Sequence, residues 1–359
     1  MKTPIFLYFE TYGCTANQNN TEIMKGLVKQ AGLEITNNID IADLLVINTC
    51  IVKEPTEKKI ERRISDLYKL NKPIIVAGCM PQVRAEKLKK QNIYLLGIKH
   101  IKDINKLIRK ILDNGYDEKD FLQDNKEIKL CLPKISNKKE IGITQISEGC
   151  LGNCSFCLTR KAKGSLHSYP EDKIIENIKN DLKSCKEIWL TSQDNAAYGK
   201  DINSSLPELL DKILALKGKF LIRVGMMNPE NILPILNELV ECYKNKKMKK
   251  FLHLPLQSGS NSILKKMNRK YTKEQFFSIV EKFRKEIPGL IFWTDIIAGF
   301  PEENESDFQD TIDAVKKLKP DFINISRYWQ MKGTDAALRS QVPREIIKER
   351  VKKLNKELK

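Results

Sequence analysis

The chain has 359 residues, 41% of them hydrophobic and 30% charged, which fits a soluble globular protein of about two domains and excludes a disordered tail. No apolar run nears the ~18–20 residues that a membrane span needs, and the N-terminal PIFLYFE reads as a strand, not as a secretory signal. Basic residues outnumber acidic ones 63 to 46, a net charge of +17 that favours a polyanionic partner, nucleic acid before membrane.

Residues 4–10 (PIFLYFE) predict a strand and 17–31 a helix. Strands follow at 43–50 (DLLVINTC) and 73–79 (PIIVAGC), with helices over 54–70 and 83–91. A short apolar piece at 93–98 and a helix over 101–112 complete the set. Apolar runs separated by helical patterns predict an α/β fold, here a doubly wound parallel sheet over 1–115. Residues 116–140 are polar and aperiodic, as a linker would be.

From 141 the alternation resumes at a longer period. Strands are expected at 142–147, 187–192, 220–226, 251–257, 290–299 and 321–328, with helices near 170–183, 206–217, 229–244, 272–286 and 304–318. Six βα units in about 200 residues point to a partial (βα)6 barrel over 141–330, not a flat sheet. Residues 331–359 form a C-terminal extension that ends in a basic amphipathic helix.

Nine cysteines in a chain without an export signal suggest metal binding or reactivity, not disulfides. Cys150, Cys154 and Cys157 lie in EGCLGNCSFC, just after a predicted strand. A structural zinc site would ask for four ligands in two half-sites, and no second pair is near. Three thiolates can instead ligate three irons of a 4Fe-4S cluster and leave the fourth open. Cys14, Cys50 and Cys79 are 36 and 29 residues apart, but each ends a predicted parallel strand. In a parallel sheet those ends share one edge, so the three sulfurs would converge on a second cluster. Cys185 and Cys242 have no partner spacing and are expected to pack, Cys131 is expected to be structural or incidental, and His100 and His167 surface or structural.

The spacing of Cys150, Cys154 and Cys157, with the aromatic Phe156 before the third, resembles the radical S-adenosylmethionine (SAM) superfamily. TYGCTAN (11–17), NTCIV (48–52) and AGCMPQ (77–82) resemble the N-terminal motifs of the methylthiotransferases. The resemblance implies two 4Fe-4S clusters: one on Cys150, Cys154 and Cys157 for radical generation, and an auxiliary one on Cys14, Cys50 and Cys79 for sulfur delivery. It also implies two uses of SAM, one as methyl donor and one as radical source, and an external electron donor. Such chemistry suits carbon-2 of an adenine, a C–H bond that ordinary acid–base or nucleophilic groups cannot functionalise.

The SAM pocket is expected at the C-terminal ends of the barrel strands. The candidates are Ser192, Gln193 and Asp194 in LTSQDNAAYG, then Arg223 and Asn228, then His253, Gln257 and Ser258, and finally Asp295. LTSQDNAAYG and VGMMNP (224–229) look like the archaeal and eukaryotic branch, which acts on threonylcarbamoyladenosine at position 37 of the tRNA anticodon loop. Two departures from the family stand out. MKGT (331–334) replaces the usual Arg-Pro-Gly-Thr, and the C-terminal RNA-binding β-barrel domain is expected to be absent. RNA affinity would then fall to the Lys and Arg surface, weak and salt-sensitive. The protein is expected to be cytoplasmic and monomeric, without a membrane partner. Alternatives are a methylthiotransferase for isopentenyladenosine tRNA or a ribosomal protein, and a non-catalytic iron–sulfur or zinc RNA-binding module. An ordinary SAM methyltransferase has no use for two cysteine sets and would need a G-x-G-x-x-G that is not present.

Overall fold

The computed structural model describes residues 4–357 except 53, 137 and 139. The first unit runs β1 (Phe6–Thr11), α1 (Thr15–Gln30), β2 (Glu34–Thr36), β3 (Leu44–Thr49), α2 (Glu54–Tyr68), β4 (Ile74–Gly78), α3 (Cys79–Leu88), β5 (Ile93–Gly97) and α4 (Ile104–Leu112). All five strands are parallel, in the order β2-β1-β3-β4-β5. β3 and β4 are buried along their whole length, as LLVINT and IIVAG require of central strands covered on both faces. The short β2 (EIT) escapes the sequence reading because it has no apolar run. This strand order reverses direction between β1 and β3, the switch point at whose C-terminal ends open parallel sheets bind their ligands.

The segment 116–140 is polar in sequence, yet it buries Phe121, Leu130 and Lys129. The second unit begins with β6 (Ile141–Gln145), β7 (Ser147–Glu148), α5 (Thr159–Lys163), β8 (His167–Ser168) and α6 (Glu171–Asp181). It continues with β9 (Glu187–Thr191), α7 (Leu206–Leu214), β10 (Leu221–Val224), α8 (Pro229–Ile232), α9 (Leu236–Tyr243) and β11 (Phe251–His253). It closes with α10 (Asn261–Lys266), α11 (Lys273–Glu286), β12 (Ile291–Ala298), α12 (Glu305–Leu318), β13 (Phe322–Arg327) and α13 (Arg344–Glu357).

The barrel strands form two parallel three-stranded ladders, β6-β9-β10 and β11-β12-β13. The Met227 amide donates to the His253 carbonyl at 3.0 Å and carries the curve across the break between them. The expected partial barrel is thus present, with its sheet interrupted after the third strand. The basic C-terminal helix is α13, and it buries Ile347, Arg350 and Leu354 against the barrel. The two units share packing: Leu158, Ala162 and Met331 of the second belong to the apolar core of the first. No helix among the described residues is long and apolar enough to cross a membrane.

Candidate active site

Cys14 caps α1, Cys50 follows β3 and Cys79 opens α3, all at the C-terminal edge of the first sheet. Their loops are cross-braced by the neighbouring motif residues. The Asn17 amide donates to the carbonyls of Tyr12 and Thr49, both at 2.9 Å. The Asn48 amide donates to the Asn17 carbonyl at 2.8 Å, and Thr49 Oγ1 donates to the Ala77 carbonyl at 2.6 Å. Gly78 turns the chain at φ +97°, where a Cβ would come within 2.4 Å of Asn48 Oδ1. Gly13 is similar: at φ +119°, a Cβ would meet Cys50 Cβ at 2.9 Å.

Burial pushes the Cys79 thiol up to about 12, opposed by the charge of Lys163 and reinforced by Cys50 and Cys14. Burial also raises Cys50, while the amides of Val52 and Ile51 pull it down. The three sulfurs therefore lie within one electrostatic neighbourhood, as the parallel sheet requires.

Cys150, Cys154 and Cys157 occupy the loop between β7 and α5. Gly149 starts it at φ +78°, where a Cβ would clash with the Ser165 carbonyl at 1.9 Å. Each sulfur accepts one N–H: Gly152 N to Cys150 Sγ at 3.3 Å, Arg269 Nη1 to Cys154 Sγ at 3.1 Å, and Thr159 N to Cys157 Sγ at 3.3 Å. Burial pushes Cys150 up to about 12, with Asp194 adding to the effect. Phe156 packs edge-on to Phe300 at 6.3 Å and anchors the loop to the barrel.

Among the described residues, no group of three or more His, Cys, Asp or Glu side chains has closed to the geometry of a single bound ion. A cubane asks for something different, because each cysteine binds a separate iron at a separate corner. The donor set fits it: three thiols, each already facing an N–H that would stabilise a thiolate. Buried thiols that resist ionisation alone are deprotonated outright by a metal.

The expected SAM-pocket residues divide in two. Ser192 Oγ, Gln193 Oε1 and Gln257 Oε1 are buried without a hydrogen-bond partner among the described residues, as ligand-binding atoms would be. Gln257 also sits at φ +68°, a conformation that a non-glycine residue adopts at a cost. Asp194 and Ser258 are already engaged internally. Asp194 accepts from the amides of Ala196 at 3.1 Å and Asn228 at 2.9 Å and from the Asn231 side chain at 2.6 Å, and burial pushes it up to about 6. Ser258 is buried against Thr311 at 3.3 Å. Asn228 accepts from Arg269 Nη2 and so positions the guanidinium that reaches Cys154. Arg223 stacks between Trp189 and Phe251, with its guanidinium carbon 4.6 and 4.1 Å from the ring centroids. His253 Nε2 meets Asp295 Oδ2 at 2.7 Å, and the Asn324 amide donates to Asp295 Oδ1 at 2.7 Å.

The sequence reading passed over Arg269, Glu148, Lys129 and Lys163. Lys163 and Lys129 are both buried and flank Glu148, at 3.2 and 2.7 Å. Burial alone would raise Glu148, but the two lysines hold it below the ordinary range. Lys163 also feels Cys79 and Cys14, so its charge stands between the first triad and the loop of the second. No spacing rule marks Lys163, one of two lysines in LTRKAKG, as buried. His100 is structural, bonded to Asp103 at 2.8 Å and the Gln123 carbonyl at 3.0 Å. Cys242 is buried.

Residues 7–97 match the Uncharacterized protein family UPF0004, and residues 144–315 match the Radical SAM superfamily. A Probable threonylcarbamoyladenosine tRNA methylthiotransferase of Pyrococcus abyssi is 43% identical over 353 residues, 98% of this chain and 83% of the relative. The like-named protein of Methanocaldococcus jannaschii is 43% identical over 358 residues, 98% of this chain and 82% of its own length. The Homo sapiens Threonylcarbamoyladenosine tRNA methylthiotransferase is 35% identical, matched over 98% of this chain and 62% of its own. In fold, the chain resembles the radical SAM methyltransferase TsrM of Kitasatospora setae, solved with cobalamin and a 4Fe-4S cluster bound. The TM-score is 0.64 at 13% identity, covering 90% of this chain and 75% of that one.

Proposed function

We propose the working of this chain from one premise: it belongs to the threonylcarbamoyladenosine tRNA methylthiotransferase family. It is a radical SAM enzyme that inserts a methylthio group into threonylcarbamoyladenosine of tRNA. It uses SAM and a 4Fe-4S cluster. The finer reading is ours: the target is carbon-2 of the adenine at position 37 in the anticodon loop, and a second cluster takes part. Residues 1–115 carry that auxiliary site, 116–140 link it to the barrel of 141–330, and 331–359 extend the barrel.

Cys150, Cys154 and Cys157 would hold the radical-generating cluster, and Cys14, Cys50 and Cys79 the auxiliary one. When bound, these groups supply the one-electron chemistry and the sulfur that no side chain can. The chain's own residues bind and orient. Arg269 and the amides of Gly152 and Thr159 set the charge around the first set of sulfurs. Ser192, Gln193 and Gln257 offer free polar atoms to SAM, and the His253–Asp295 pair with Arg223 and Asn228 completes the rim of the strand ends. Asp194 and Ser258 support the pocket from behind. We place the enzyme in the cytoplasm as a monomer fed by an external reductant.

The observation that carries this reading is that Cys14, Cys50 and Cys79 all stand at the C-terminal edge of the first sheet, with Lys163, paired to Glu148 beside the Cys150 loop, near them. The test is expression in a host lacking 2-methylthio-threonylcarbamoyladenosine, followed by mass analysis of tRNA nucleosides. That nucleoside should appear. A gain confined to isopentenyladenosine, or no gain with an active SAM-cleaving protein, would refute the substrate. Anaerobic reconstitution should give about eight irons per chain, two cubanes; about four would remove the second cluster.

A further inference from the structure

Tyr12 lies two residues before Cys14, at the C-terminal edge of the first sheet. Trp329 lies two residues past β13, at the same end of the barrel's last strand, and packs against the core of the first unit. Between these two aromatics and α2 runs an open cleft of about 480 Å³. Sites of roughly 300–1,000 Å³ take small ligands, so the cleft has the size for a nucleotide.

Its α2 wall presents Lys58, Lys59, Arg62 and Arg63, two successive turns of one helix side. Two of these cations are neutralised inside the protein. Arg63 grips Glu10 with Nε at 2.9 Å, and Lys58 pairs with Glu54 at 2.5 Å. The Tyr12 hydroxyl donates to the same Glu10 at 3.1 Å, so the floor is fixed. Lys59 and Arg62 are exposed and have no carboxylate partner among the described residues. Lys59 Nζ stands 5.6 Å from the Tyr12 ring. The one carboxylate of the lining, Asp66, is paired with Lys69 at 3.0 Å.

Two cations without a carboxylate partner beside two aromatic side chains are the elements of single-stranded RNA recognition: phosphates on the cations, bases on the rings. Tyr12 lines the cleft two residues before Cys14, which brings whatever sits there toward the auxiliary site. We propose that this cleft seats a nucleotide flanking the modified adenosine, with Lys59 and Arg62 on its phosphates and its base against Trp329. The proposal rests on the tRNA reading above and adds the place where the loop docks.

The test is titration of the full chain with a labelled synthetic anticodon stem–loop RNA over a salt series. K59Q/R62Q should weaken binding at least tenfold and lower the salt slope by about 1.4, near 0.7 per lost contact. W329A should weaken it roughly tenfold, since a base–aromatic stack contributes about 1–3 kcal/mol, and W329F should restore most of the loss. K179Q/K183Q, two exposed lysines outside the cleft lining, should leave binding within twofold. Equal losses in that control would mean diffuse charge attraction and overturn the proposal. Unchanged binding and slope in K59Q/R62Q and W329A would overturn it while leaving the tRNA reading intact. A wild-type chain that does not bind the RNA would overturn both.

Discussion

Lys163 Nζ lies 3.2 Å from Glu148 Oε1, and this buried pair joins the loop of one cysteine triad to the neighbourhood of the other. Lys129 holds the opposite oxygen at 2.7 Å and donates to the Ile98 carbonyl of the first unit at 2.6 Å. The three charges form a strut across the domain seam. Glu127, 3.8 Å from Lys129 Nζ, balances the second lysine, and Lys163 is the cation beside the thiols that must become thiolates to bind metal.

Lys163→Met should therefore do two things. It leaves Glu148 short of a partner, which costs about 3–5 kcal/mol when a buried pair is broken on one side. It also removes the nearest cation from Cys79, so auxiliary loading should fall toward about four irons per chain while the other site still fills. Lys163→Arg keeps the charge and should restore both. Denaturant unfolding and iron counts read the two effects separately. A Lys163→Met protein with full iron and normal stability would show the strut to be idle. The pH dependence has a definite sign. Glu148 has a depressed folded pKa, so its contribution is present above its unfolded value and lost as pH falls through the folded one.

Metal loading should improve as pH rises. Burial pushes Cys79 and Cys150 from 9.0 up to about 12, so near-neutral thiolate is about a thousandfold scarcer than at an unperturbed thiol. In the iron-free protein, iodoacetamide should label the exposed Cys14 well before either. Loading should release protons and slow steadily as pH is lowered through the neutral range. Peptide mass mapping after timed alkylation decides it; equal rates at Cys14 and Cys79 would contradict the burial account.

Arg269 reaches Cys154 Sγ at 3.1 Å and also donates to Asn228, so it joins the loop to the barrel rim. Lysine cannot reproduce that fork. Arg269→Lys should cost about 1.5–3 kcal/mol in stability, the range for a bond to a charged group. It should also slow SAM cleavage, measured as 5′-deoxyadenosine release without tRNA. Cleavage at the wild-type rate would make Arg269 a purely structural residue.

The sequence exposed the first sheet because its central strands are continuous apolar runs, the barrel because its strands alternate with helical patterns, and the six cysteines because loop position follows from strand order. It could not expose what polarity hides. β2 pairs with β1 along only three residues and has no apolar run, and Lys129 and Phe121 are buried inside a segment that reads as solvent-facing. Among the pocket candidates, polar type at a strand end found Ser192 and Gln257, but it could not separate them from Asp194 and Ser258. Those differ only in whether a partner already occupies their hydrogen-bonding atoms.

That difference yields the sharpest substitution. Gln257 holds φ +68° with its amide donating to the Asp295 carbonyl at 2.8 Å and its carbonyl accepting from Ile297 at 2.9 Å. The surrounding ladder therefore imposes the conformation. Strain of this kind costs about 1–3 kcal/mol, and glycine relieves it while losing about 0.5–1 kcal/mol of its own in chain entropy. Gln257→Gly should accordingly be more stable than Gln257→Ala by about 1 kcal/mol. Both remove the unpartnered Oε1, so both should lose SAM affinity to a similar extent. Thermal unfolding with and without SAM measures the two quantities in one experiment. A Gln257→Gly chain that is no more stable than Gln257→Ala would place the strain elsewhere, and one that binds SAM like the wild type would remove Gln257 from the pocket.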